Sequence, residues 1–284
     1  MYSKVLVPLD GSKFSEQILP LVRRIAEAMI IPVELLLVTE PDARPPLATQ
    51  PSVSDYLESV ERQYFAAPTR VIRIAAMGKP ADVIIDHADV ERSCLIAMAT
   101  HGMTGLRRWL LGSVASKIVQ SSQNPLLLVR PRDDAAPVAL DTVFVPLDGS
   151  ALAEQALPHV VGLAKAIKLE VNLVRVYTLP VTAYLVGDGM VPQDSNRLRD
   201  EIRREAETYL NGKVDELRAE GLANVIATVI EGDPASEIID LGLKTPNDLI
   251  IMSTHGRSGI ERWALGSVAE KVVQLSRDPV LLVR

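Results

Sequence analysis

Short runs of apolar, mostly branched residues alternate along the chain with stretches whose apolar positions recur at helical spacing. KVLVPLD (4–10) has the pattern of a buried strand, and residues 13–29 carry Ile18, Val22, Ile25 and Met29 along one helical stripe. VELLLVT (33–39) and TRVIRIAAM (69–77) predict two more strands, and PADVIIDHA opens a helix at Pro80. CLIAMAT (94–100) predicts a fourth strand, GSVASKIVQSS (112–122) a helix, and PLLLVR (125–130) a fifth strand. Strands that are apolar on both sides belong to a parallel sheet covered on both faces. Their alternation with helices predicts a right-handed, doubly wound α/β sheet.

The pattern occurs twice. VLVPLDGS at 5–12 returns as VFVPLDGS at 143–150, and the segment 101–130 returns at 255–284 with 19 of 30 positions identical. The first displacement is 138 positions and the second is 154, so the second copy holds 16 extra residues, which lengthen a helical stretch at 195–220. Two domains follow, 1–131 and 142–284, joined by the Pro-, Ala- and Asp-rich linker 132–141. Pro20 and Pro158 fall inside the first helix of each copy, where each kinks the helix or marks its true start.

Composition narrows the function. Apolar residues are 48% of the 284, which is globular, and the net charge of −6 leaves no broad basic field for nucleic acid or an anionic membrane. The one cysteine, Cys94, sits in an apolar run and has the character of a small core residue. With no signal-peptide pattern and no apolar run near ~18 residues, a cytoplasmic protein is expected. No metal-ligand spacing is present, and His87 and His159 have no counterpart in the other copy.

Ligands of open parallel sheets lie beyond the carboxyl ends of the strands. Two loops per copy reach that edge: one leaves a strand at Asp10 or Asp148, and one enters a helix at Gly112-Ser113 or Gly266-Ser267. Glycines and a helix start can cradle an oxyanion, but Gly102, Gly105 and Gly112 also suit plain turns, and Ser12 and Ser113 suit plain helix caps. Neither G-x-x-x-x-G-K-[ST] nor G-x-G-x-x-G occurs, so spacing alone leaves the anion site and the turns as alternatives. His101 and His255, Trp109 and Trp263, and Arg108 and Arg262 recur without a partner that assigns them chemistry.

VPLDGS after the first strand, THG with GSV nine residues further on, and a final PLLLVR together resemble the universal stress protein family, over both halves of the chain. The resemblance implies two tandem Rossmann-like domains of the adenine nucleotide alpha hydrolase-like type, each with a five-stranded, mainly parallel sheet. In ATP-binding members the signature is G-x-x-G, nine residues, then G-[ST]. Gly102, Gly112 and Ser113 fill its later positions in the first copy, and Gly256, Gly266 and Ser267 in the second. Ala99 and Ser253 stand at the first glycine, which in the family lies against ribose and phosphates. The same match puts Asp10 and Asp148 on the adenine side and has Val38 and Val176 offer backbone groups to the ring. Met98, Met252, Val114 and Val268 would line the pocket.

The implied function is a stress or regulatory protein with one ATP site per domain, with or without Mg2+, and at most slow hydrolysis. AMP or cyclic AMP are alternative ligands. A scaffold that binds no nucleotide and acts through protein contacts is the alternative class, favoured by Ala99 and Ser253. Lys117 and Lys271 are weak candidates for catalysis. The two halves are expected to pair as an internal pseudo-dimer through their last strands, and a further homodimer stays open.

Overall fold

The computed structural model describes residues 2–41, 52–101, 111–131, 140–179, 192–245, 248–256 and 265–284. In the first copy the strands are β1 (Lys4–Leu9), β2 (Val33–Thr39), β3 (Val71–Met77), β4 (Cys94–Ala99) and β5 (Leu126–Val129). The helices are α1 (Leu19–Met29), α2 (Val53–Tyr64), α3 (Pro80–Asp89) and α4 (Ser113–Ser121). The second copy has β6 (Thr142–Pro146), α5 (Ala151–Glu154), α6 (Leu157–Ile167), β7 (Glu170–Tyr177), α7 (Pro192–Ala219) and β8 (Val225–Glu231). It ends with α8 (Pro234–Lys244), β9 (Asp248–Ser253), α9 (Ser267–Leu275) and β10 (Val280–Val283).

All ten strands join one sheet in the order β3-β2-β1-β4-β5-β10-β9-β6-β7-β8. Pairing is parallel within each half and antiparallel only between β5 and β10, where Leu127 faces its repeat counterpart Leu281. The carboxyl ends of the strands in the two halves therefore point to opposite edges of the sheet. Helices α1, α2, α6 and α7 cover one face and α3, α4, α8 and α9 the other, and the core under each face runs through both domains.

Two details depart from the expected elements. The helix at 13–29 is divided: a 3-10 turn at Ser15–Ile18 precedes α1, and Pro20 lies in the first turn of α1. Pro158 does the same in α6 after the short α5. Proline needs no partner for a missing N–H in a first turn, so each marks where its helix starts. Second, α2 fills the span between β2 and β3 where no helix was expected. Its N-cap Ser52 accepts from the Asp55 N–H, and Leu57 and Val60 are buried against the sheet. Helix α7 has 28 residues against 12 in α2, so this helix accommodates the 16-residue difference between the copies.

Candidate functional site

In each half the connections leave β1 and β4, or β6 and β9, in opposite directions, which opens a crevice at the carboxyl edge between them. Asp10 ends β1 and accepts at Oδ1 from the Ser12 N–H (2.9 Å) and the Ser12 hydroxyl (2.6 Å). Asp148 makes the same two bonds with Ser150, at 2.9 and 2.6 Å. Between them Gly11 and Gly149 take φ +85°, a left-handed conformation that favours glycine. Ser150 also caps α5 by accepting from the Ala153 N–H. The LDGS loops are thus tight capped turns that fix one carboxylate at the rim of each crevice.

The second loop returns to the same place. Gly112 donates its N–H to Thr100 O and Gly266 to Thr254 O, both at 2.9 Å. A Cβ on Gly112 would stand 3.1 Å from Thr100 O, and one on Gly266 3.0 Å from Thr254 O, so both positions are too tight for a larger residue without movement. These glycines are also the N-caps of α4 and α9, and neither helix has a side-chain cap hydrogen bond. The N–H groups of the first turn therefore face the crevice without a capping side chain.

The crevices hold cavities of about 250 Å³ in the first domain and about 240 Å³ in the second. Asp10, Val38, Met98, Ala99, Gly112, Ser113 and Val114 line the first. Asp148, Val176, Met252, Ser253, Gly256, Gly266, Ser267 and Val268 line the second. Gly102, together with Gly105, Arg108, Trp109, Arg262 and Trp263, lies outside the described residues. The side chains of Pro8, Pro80 and Ile84, or Pro146, Pro234 and Ile238, add apolar wall that no motif in the sequence marks. Pro80 and Pro234 start the helices that follow β3 and β8, a third loop at the same edge.

Polar groups at the end of β4 and β9 are held locally. The Thr100 hydroxyl lies 2.9 Å from His101 Nδ1, and that of Thr254 lies 3.0 Å from His255 Nδ1. Both histidines line the cavities, a placement that no neighbouring residue in the sequence signalled. Ser253 donates its hydroxyl to the carbonyl of His255, so it presents mainly its methylene, much as Ala99 presents a methyl. A Cβ on Gly256 would collide with Asp148 Oδ2, so any side chain there would displace the carboxylate that this loop passes.

Several recurring or conspicuous residues lie elsewhere. Lys117 pairs with Asp82 between α4 and α3, and neither it nor Lys271 lines either of these two cavities. His87 and Lys4 both reach Glu34 Oε2, at 3.0 and 2.9 Å. His159 Nδ1 meets the Tyr2 hydroxyl at 2.8 Å. Cys94 is buried, and burial pushes its thiol up to about 12. Among the described residues no group of three or more His, Cys, Asp or Glu is placed to hold a metal ion, and no helix is long and apolar enough to cross a membrane.

The family description "Universal stress protein family" matches residues 1–130 and again 140–284. A universal stress protein of Methanocaldococcus jannaschii is 33% identical over 142 residues, half of this chain and 81% of that protein. One of Mycobacterium tuberculosis is 22% identical over 301 aligned positions, covering 99% of this chain and 96% of that protein. The crystal structure of a universal stress protein from Archaeoglobus fulgidus shares the fold at a TM-score of 0.69 and 20% identity, covering 100% of this chain and 99% of that one.

Proposed function

The chain belongs to the universal stress protein family, and from that premise we propose that each of its two domains binds one adenine nucleotide at the carboxyl edge of its half of the sheet. The observation that carries this reading is the matched pair of cavities, each an apolar slot that ends on a helix start without a side-chain cap. Val38, Ile84 and Met98, or Val176, Ile238 and Met252, suit the faces of a purine base. The exposed N–H groups of α4 and α9, with the hydroxyls of Ser113 and Ser267, suit phosphate oxygens. Ala99 and Ser253 are compatible with this, since one adds only a methyl and the other turns its hydroxyl to the loop backbone.

The His101 and His255 rings that line the slots are tied at Nδ1 to the Thr100 and Thr254 hydroxyls, and the groups that carry this reading are binding groups, so we read the role as regulatory, with hydrolysis slow at most. An acidic chain with one buried thiol suits the cytoplasm. ATP is the first ligand to test, with and without Mg2+, beside AMP, cyclic AMP and GTP. Calorimetric titration should give two ATP sites per chain, and at 100 times its dissociation constant the nucleotide should add about 2.7 kcal/mol of stability per occupied site. Gly256→Glu places a carboxylate against Asp148 and should reduce the count to one, with the fold intact by circular dichroism. If no adenine nucleotide binds the wild type, the scaffold function replaces this one. If the variant still binds two, the second-domain loop is not part of the site.

A further inference from the structure

Each slot is connected to the far end of the helix that serves the other slot. In the first domain Thr100 lines the slot, accepts at its carbonyl from the Gly112 N–H (2.9 Å) and donates its own N–H to Val129 O (2.8 Å). The next residue, Arg130, crosses the seam, and its Nη1 donates to Gln274 O at 3.2 Å, in the last turn of α9. Helix α9 starts at the second slot, where Gly266 N–H donates to Thr254 O (2.9 Å) and Thr254 N–H to Val283 O (2.8 Å). Arg284 follows Val283 and crosses back, with Nη2 donating to Val119 O and, at 2.9 Å, to Gln120 O in the last turn of α4. Helix α4 starts at Gly112 beside Thr100, so the connections form a closed circuit.

Apart from the two arginine side chains, every link in it is a helix, a strand end or a backbone hydrogen bond. The helices have nine residues each, about 13.5 Å of length, and each packs a buried inner face, Ala115, Ile118 and Val119 or Ala269, Val272 and Val273. A packed helix this short shifts as one body, so a displacement at its start reaches its end. At that end the arginine holds carbonyls that the helix leaves unpaired. The strand that carries the arginine lies beside the strand that ends at the other slot, with Val283 next to Ser253 and Val129 next to Ala99. The two slots open at opposite edges of the sheet, so ligands in them cannot touch, and any influence between them passes through the protein.

From this circuit we infer that the two slots are energetically coupled, so that a nucleotide in either one raises the affinity of the other. The inference rests on the nucleotide reading of the slots. A ligand that orders the start of α4 also steadies its far end, and with it Arg284, Val283 and the Thr254 backbone of the second slot. The second ligand then has less left to order. Such coupling is reciprocal, so each slot tightens the other by the same factor.

The test is an ATP titration of the full chain in which the Gly112 and Gly266 amide signals are followed separately by NMR, each reporting on its own slot. In the wild type both curves should be steeper than single-site binding. With the second slot closed by Gly256→Glu, the first should half-saturate at an ATP concentration about two- to tenfold higher than in the wild type. Arg284→Gln cuts the circuit outside both slots. It should still bind two ATP, with both curves relaxed to the single-site form, while Arg284→Lys, which keeps a cation at the helix end, should retain part of the steepness. Arg130→Gln should act in the same direction. Two ATP bound on independent single-site curves in the wild type would overturn the coupling and leave the nucleotide reading standing, whereas no ATP bound would remove both. Steep curves that survive Arg284→Gln and Arg130→Gln alike would overturn the circuit.

Discussion

Asp248 opens β9 with 1% of its surface exposed, at the position the first copy gives to Cys94. Its strand neighbour is Thr142, where the first copy has Lys4 beside Cys94, so the duplication exchanged a thiol near a cation for a carboxyl near a hydroxyl. Neither Oδ atom has a hydrogen-bond partner among the described residues, and the Thr245 hydroxyl donates instead to Leu241 O at 3.0 Å. Burial pushes the Asp248 carboxyl up to about 6 from an ordinary 3.8, and the Asp141 carboxylate adds to the rise. A raised acid binds its proton more tightly in the fold than in the open chain. Its effect on stability is therefore most favourable below the ordinary value and is lost as pH rises through about 6. Asp248→Asn removes the charge at constant shape. It should be more stable than wild type by about 1–3 kcal/mol near pH 8, and the gain should fade toward pH ~4. Urea unfolding at the two pH values measures this, and an Asn variant no more stable at the higher pH would refute it.

Helices α4 and α9 each begin at a cavity and end under an arginine of the other domain. Arg284 donates to carbonyls at the end of α4, and Arg130, its repeat counterpart, donates to Gln274 O at the end of α9, at 3.2 Å. A cation at a helix C-terminus satisfies orphan carbonyls and opposes the helix dipole. Arg130→Gln should therefore cost about 0.5–2 kcal/mol in urea unfolding, with Arg130→Lys recovering part of it because the charge remains. Equal stability of wild type and Gln variant would mean that the contact does nothing. At this scale much was legible: apolar runs such as VELLLVT coincide with β2, and the repeat displacements located the lengthened α7. Helix α2 was not seen, although Ser52 with Asp55 and the spacing of Tyr56, Leu57, Val60 and Tyr64 carry a cap and a stripe. Its polar face and the irregular span before it hid that signal. The slots were traceable through Gly112 and Gly266, whose tight approach to the strand ends leaves a sequence mark. The cavity at the domain junction was not, because Gln123 and Arg284 line one cavity only when β5 and β10 pair, and nothing local encodes that pairing.

The antiparallel β5–β10 pair decides whether this is one folding unit or two. Both faces of the sheet carry a core that crosses the boundary, with Leu127 and Leu281 in the same buried cluster. Around that seam α1 packs on α6, the Tyr2 hydroxyl meets His159 Nδ1 at 2.8 Å, and Arg24 donates to Leu140 O at 2.6 Å. Chains of this length usually unfold in more than one step when their domains are independent. Here neither edge strand is covered without the other, since an isolated half would expose β5 or β10 as an unpaired edge. The full chain should therefore unfold in one calorimetric transition, with calorimetric and van't Hoff enthalpies in agreement. Leu127→Ala deletes buried volume at the centre of the seam, where only 1% of the side chain is exposed, and should cost about 2–5 kcal/mol. Because the loss falls on a shared core, the single transition should move as a whole, and Leu281→Ala should move it by a similar amount. The two losses should fail to add in the double variant, as expected of residues in direct contact. Two transitions in the wild type, of which Leu127→Ala shifts only one, would show instead that the halves fold independently and that the continuous sheet is a docking surface between finished domains.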